Sequence, residues 1–216
     1  MVAILWAAQG ALGWYMVASG LVREPRVSHY RLTAHLLTAC LLYAFMLSTA
    51  LELVRPADPA AAPRRAWLSA LSTIMVVLSL ITIASGGLVA GLHAGLAFNT
   101  FPLIGGYWVP PYLLEMRPLA VNFFENKLTV QYDHRVLAAL LSLIALVSWL
   151  GGLYARLPRR VMTALHILAG VVAVQVALGA FALLYRVPVV LGAAHQGVAL
   201  ILLGAALLVR NEARSA

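Results

Sequence analysis

Residues 66–92 read AWLSALSTIMVVLSLITIASGGLVAGL and contain no charged side chain. Crossing about 30 Å of hydrocarbon takes roughly 20 residues of helix, so the run is long enough to span a bilayer. Its centre, residues 74–83, lacks the apolar–polar alternation of a barrel strand. Backbone groups in lipid must find partners internally, which leaves the helix. The same test applied outward along the chain predicts six spans, near 1–22, 29–54, 66–92, 127–155, 161–185 and 188–209. The expected fold is all-α, a polytopic transmembrane helical bundle.

Composition supports that reading. Of 216 residues, 63% are hydrophobic and 10% charged. An ordinary soluble domain carries about 25% charged residues. The net charge of +8 comes from 15 Lys+Arg against 7 Asp+Glu. Such an excess in a soluble domain suggests nucleic acid, but here the basic residues lie between apolar blocks. They read as loop charges that set topology, and no nucleic-acid partner is expected. The single cysteine, Cys40, lies inside an apolar run and excludes an internal disulfide or a cysteine-rich metal site. The first apolar block lacks the basic start of a cleavable signal peptide.

Six spans put both termini on one side. That side carries Arg55, Arg64, Arg65, Arg156, Arg159, Arg160, Arg210 and Arg214. The other holds Arg23, Arg26, Arg31, Arg117, Lys127, Arg135 and Arg186, of which Arg31 and Arg135 fall within predicted helices. The compact clusters RPADPAAAPRR and RLPRR favour cytoplasmic termini. The long connection 93–126, rich in proline and aromatic residues, then faces outward. It reads either as a functional loop or as an amphipathic cap.

Three histidines share a depth. His35, His134 and His195 each lie seven or eight residues into the second, fourth and sixth predicted spans, which run in the same direction. At 1.5 Å per residue each imidazole sits roughly 10–12 Å below the outer face. Ionisable groups at such depth are costly and face a bundle interior or cavity. A lone buried histidine is commonly a hydrogen-bonded core residue; three at one depth favour ligation. Imidazole serves copper, zinc and heme iron. Heme suits this layout, because it needs axial histidines from different helices, apolar walls and cations toward the surface for its propionates. Arg31 lies one turn before His35 on the same face. Arg135 follows His134, and Gln131 shares its face. Glu125 and Asn126 stand at the mouth of that helix. The arginines could equally be snorkelling at the interface. His29, His93 and His166 are weaker candidates: the first two lie at the outer surface, and His166 at the wrong depth.

The chain also repeats itself. Gln9-x-Ala11-Leu12-Gly13 in the first span matches Gln175-x-Ala177-Leu178-Gly179 in the fifth. Each is followed by a helix carrying Ala-His, at Ala34-His35 and Ala194-His195. Both copies run in one direction, which implies a parallel repeat about the membrane normal, an arrangement known among transporters. The second copy is preceded by two more spans and the first is not. The expected organisation is a partial N-terminal repeat over 1–55, a C-terminal four-helix heme-binding repeat over 66–210, and the outer loop 93–126.

The stretches GGLVAGLHAGLAFNTFPLIGGYWVP (86–110) and NFFENKLTVQYDHRVLA (122–138) resemble the central signature of the heme A synthases. The likeness continues through QVALG (175–179), LGAAHQGVALILL (191–203), QGALGWYMVASGL (9–21) and YRLTAHL (30–36). It is closest to the mitochondrial and Gram-negative form, which lacks paired loop cysteines. The resemblance implies an eight-helix protein of two similar halves, of which this chain matches the last six helices. It implies oxidation of the C8 methyl of heme O to a formyl group, giving heme A for cytochrome oxidase assembly. On that footing His134 and His195 are the axial ligands of heme b, His35 belongs to the half that takes heme O, and Glu125 is a candidate catalytic carboxylate. Arg31 and Arg135 are candidate propionate contacts. The implied partners are heme O synthase, an electron acceptor, the bilayer, and a second copy or another chain supplying the two helices not matched here; without them the activity of this chain alone is expected to be poor. Two rival readings are a b-type cytochrome exchanging electrons with quinone and a small-solute transporter.

Overall fold

The computed structural model describes residues 2–20, 27–58 and 65–215. Among these, the long helices are α1 (Val2–Gly20), α2 (His29–Val54), α3 (Ala66–Gly91), α6 (Lys127–Tyr154), α7 (Arg159–Leu184) and α8 (Val189–Arg214). Two short helices, α4 (Ala94–Ala97) and α5 (Asn122–Glu125), lie in the connection between α3 and α6. No strand occurs among the described residues. Arg23, Arg26 and Arg64, weighed above for topology, fall outside them.

Five of the six long helices, with 26 to 28 residues each, are long and apolar enough to cross a membrane. The exception is α1, whose 19 residues extend about 28 Å at 1.5 Å per residue. The final helix runs to Arg214, beyond the expected end at 209. Its last turn is polar but held: Glu212 pairs with Arg55, Arg210 Nε donates to Thr73 Oγ1 over 3.2 Å, and Arg214 lies 3.6 Å from Glu52.

Helices α3, α6, α7 and α8 form a closed ring, each packed on its neighbours. Helix α2 lies in the groove between α3 and α8, and α1 packs on α2. Glycines set the closest crossings, as expected where packing in lipid relies on backbone approach. On α3, Gly87 and Gly91 form a GxxxG pair whose face meets Thr33 and His29 of α2. A Cβ at Gly91 would stand 2.4 Å from His29 Cβ, and one at Gly87 would stand 2.8 Å from Thr33 Oγ1.

The ring is packed unevenly. Leu68, Met75, Leu141, Ala145, Leu165, Leu168, Leu202, Ala206 and Val209 fill the half remote from the 93–126 connection. Cys40, Ile83, Leu203 and Leu207 continue this core between α2, α3 and α8. Toward the loop end α3 and α6 stay packed, with Ile83, Gly87, Leu88, Thr129, Val130 and Gln131 buried, while α7 and α8 thin out. No residue of α8 before Leu202 is buried, and none of α7 between Leu168 and Ala182.

Candidate functional site

The thinly packed half holds His134 and His195. Their rings approach edge-on, with centroids 6.5 Å apart and planes inclined at 76°. Two imidazoles on opposite sides of one metal, with nitrogens about 2.0–2.1 Å from it, would place their centroids roughly 6.3 Å apart. The observed separation suits a shared ion. Among the described residues no group of three His, Cys, Asp or Glu side chains converges for a metal. Two protein ligands suit an ion that brings its own equatorial donors, as a heme iron does.

Each histidine ring rests on a glycine of the adjacent antiparallel helix. A Cβ at Gly86 would lie 3.1 Å from His134 Cε1, and one at Gly179 would lie 2.9 Å from His195 Cε1. A larger residue in either place would push the ring from its position. Hydrogen bonding also orients His134. Ser85 Oγ lies 2.8 Å from His134 Nδ1 and donates to the Thr82 carbonyl over 2.8 Å. A hydroxyl has one proton to give. With that proton on Thr82, Ser85 accepts from Nδ1–H, and His134 Nε2 keeps its lone pair for a ligand. His195 Nδ1 is buried with no hydrogen bond of normal geometry, while its Nε2 lies 3.5 Å from Gln175 Nε2.

The repeat seen in the sequence has a geometric counterpart. Gln9 Nε2 lies 3.3 Å from His35 Nε2, and a Cβ at Gly13 would stand 2.9 Å from His35 Cε1. In both copies the glutamine Oε1 and the histidine Nδ1 are buried without partners. Thus α1–α2 and α7–α8 present one histidine each in the same manner. His35 and His195 are the seventh residues of α2 and α8, and His134 the eighth of α6. Arg31, one turn nearer the α2 start, places its guanidinium 4.6 Å from the ring centre of Tyr15.

Glu125 ends α5 at the loop end and reaches across to α2. Tyr30 Oη donates to Glu125 Oε1 over 2.6 Å, and His29 Nε2 lies 3.4 Å from the same oxygen. Beside them an apolar cavity of about 350 Å³ opens between α2 and α3. Tyr30, Thr33, Ala34, Ser85, Leu88 and Phe124 are among its lining residues. Tyr30 was not anticipated, and His29 was read only as interfacial. The signal available was their position in the first turn of α2, level with the NFFEN stretch, but which side of α2 faces α5 is set by the crossing at Gly87 and Gly91.

The asparagines of NFFEN do structural work around Glu125. Asn126 caps α6, accepting from the Leu128 and Thr129 amides over 3.0 and 3.3 Å. Asn122 is fully buried; it accepts from Met116 N and donates to the Met116 and Leu119 carbonyls, each over 2.9 Å. Earlier in the connection, Ile104 and Tyr107 pair around Gly105 and Gly106. Both glycines have positive φ, the conformation a tight two-residue turn requires. Arg135 and Gln131, one turn apart on α6, hold the segment after α4. Gln131 donates to Phe98 O over 2.7 Å, and the two terminal nitrogens of Arg135 reach the carbonyls of Phe98, Thr100, Pro102 and Leu103. Those nitrogens are committed to the loop, and the Arg135 Nε is buried without a partner.

With this geometry in place, comparison with known proteins adds the family. Residues 1–207 match the COX15-CtaA family model, described as a cytochrome oxidase assembly protein. The chain is 46% identical over 213 residues to the heme A synthase of Nitrosospira multiformis, covering 98% of this chain and 60% of that protein. It is 43% identical to the heme A synthase COX15 of Arabidopsis thaliana, over 97% of this chain and 48% of that one. The corresponding mouse protein is 42% identical over 95% and 52% of the two chains. This chain therefore spans about half to three fifths of the length of these relatives. No solved structure matches it.

Proposed function

The chain belongs to the COX15-CtaA family of cytochrome oxidase assembly proteins, and on that premise we propose that it takes part in oxidising heme O to heme A in the inner membrane. His134 and His195 would hold a heme b, and His35 would face the substrate porphyrin. The observation that carries this reading is the 6.5 Å ring separation between two glycine-seated histidines on codirectional helices. The thin packing of α7 and α8 beside the two rings supports it.

A bound heme supplies the electron chemistry needed to convert the C8 methyl to a formyl group. The protein's share is position and protonation. Ser85 fixes the tautomer of His134, while Gly86 and Gly179 let both rings approach the bundle interior. Glu125 Oε1, hydrogen-bonded by Tyr30 at the loop end, is placed to accept a proton released there. Arg135, with Gln131, keeps the segment 98–103 folded over the mouth of α6. The formyl oxygen must come from water or dioxygen, the electrons must pass to an acceptor, heme O must come from a heme O synthase, and the arginine-rich end would face the cytoplasm.

The test is a reduced-minus-oxidised spectrum of the purified chain and of its His134→Ala, His195→Ala and His35→Ala variants, with extraction of bound hemes after expression with heme O. We expect a low-spin b-type band abolished by either of the first two substitutions and kept by the third. Spectra indifferent to both His134 and His195 would refute the assignment.

A further inference from the structure

At the end opposite the loop, α7 begins with Arg159 and Arg160 directly after Pro158. Four other arginines at this end are bound within the chain: Arg55 to Glu212, Arg65 to the Glu212 and Ser215 carbonyls, Arg210 to Thr73 and Arg214 to Glu52. Arg159 and Arg160 are exposed and make no such bond. Both line a cavity of about 270 Å³ between α7 and α8, together with Arg55, Thr163, Ile167 and Leu208.

The cavity is graded along the helix axes. Its mouth holds three guanidiniums against one carboxylate, and that carboxylate, Glu212, is already paired with Arg55. Its inner wall is apolar. Ile167 lies seven residues along α7 from Arg160, about 10 Å deeper, and Leu208 lies one turn, about 6 Å, inward of Glu212 on α8. A small soluble anion would use the mouth alone. A molecule with a phosphate at one end and an acyl chain at the other would use both. Basic pockets between transmembrane helices at a membrane surface attract such headgroups.

We propose that this cavity binds an anionic phospholipid, with its phosphate between Arg159, Arg160 and Arg55 and an acyl chain against Ile167 and Leu208. The bound lipid ties α7 to α8 and to the end of α2. It does so remote from His35, His134 and His195, so its occupancy is separable from heme ligation.

The experiment uses the full chain in mild detergent with phosphatidylglycerol, phosphatidylcholine or inorganic phosphate added. Native mass spectrometry reads retained lipid, and thermal unfolding reads stabilisation. We expect phosphatidylglycerol to be retained over phosphatidylcholine by on the order of tenfold and to raise Tm, with phosphate giving no protection. The Arg159→Gln/Arg160→Gln double variant should lose this preference while keeping the b-type spectrum. Arg156→Gln, at the same end but outside the cavity, should retain the preference. Equal retention of the two lipids, selectivity surviving in the double variant, or equal protection by phosphate would each overturn the proposal.

Discussion

Tyr30 and Glu125 stand 95 positions apart in the chain, yet the tyrosine hydroxyl donates to Glu125 Oε1 over 2.6 Å. The bond fastens the start of α2 to the mouth of α6 and ties the two parts of the molecule at their loop end. Removing either partner should weaken this link without touching the paired histidines. A double-mutant cycle of Tyr30→Phe and Glu125→Gln, read by thermal unfolding in detergent, should give a coupling of about 1 kcal/mol. The b-type spectrum should persist throughout. Additive effects would show that the two side chains act independently.

The glycines beneath the histidines predict a position-specific pattern. Gly179→Val should displace His195 and abolish the b-type band proposed above, and Gly86→Val should do the same through His134. Gly13→Val should disturb His35 alone and leave the b-type band. Gly170, where an added Cβ meets nothing within 4 Å, is the control on the same helix as Gly179. Gly170→Ala should be neutral or stabilising by up to about 1 kcal/mol. Absorption spectra of the four purified variants distinguish these outcomes.

Ser85→Ala leaves His134 in place but removes the acceptor for its Nδ1–H. A ligating imidazole that loses such a partner becomes a poorer donor. Heme affinity should fall by about 10- to 100-fold. The midpoint potential should rise, because a weaker donor stabilises the oxidised iron less. Heme titration and potentiometry check the two effects, and an unaltered potential would remove Ser85 from the site.

Arg135→Gln should loosen the segment 98–103, since four carbonyls lose a shared donor. Limited proteolysis should then cut the connection several-fold faster. Arg135→Lys should not rescue it, because one ammonium cannot replace a planar fork that reaches several acceptors. Equal cleavage rates in the three proteins would mean that Gln131 and the NFFEN asparagines suffice to hold the loop.

Membrane character, helix number and the three histidines at one depth were readable from hydropathy and spacing. Long apolar runs have only one way to satisfy their backbone in lipid. The glutamine–glycine repeat was legible too, because each copy is local to a helix pair. Less legible was the division of labour in NFFEN, where Glu125 faces α2 while Asn122 and Asn126 brace the loop. Arg135 illustrates the same limit. Sequence placed it beside His134, which suggested a propionate contact, but adjacent residues on a helix point about 100° apart. Its terminal nitrogens reach the loop carbonyls, contacts that the linear sequence does not reveal. The extension of α8 to Arg214 was missed because its charged last turn reads as a loop until Arg55, Thr73 and Glu52 are brought beside it.

The sequence by itself determined that this chain is a membrane bundle with histidines carried at one level on helices of one direction. Periodicity and length are properties of single helices, and each helix must satisfy its own backbone in lipid. Only the tertiary structure decided which imidazoles meet. The azimuth of each helix is set by its contacts: Gly86 and Gly179 turn His134 and His195 toward each other, while Gly13 seats His35 on a separate helix pair. Those rotations arise from side chains on neighbouring helices, far apart in the chain, and no single segment contains them.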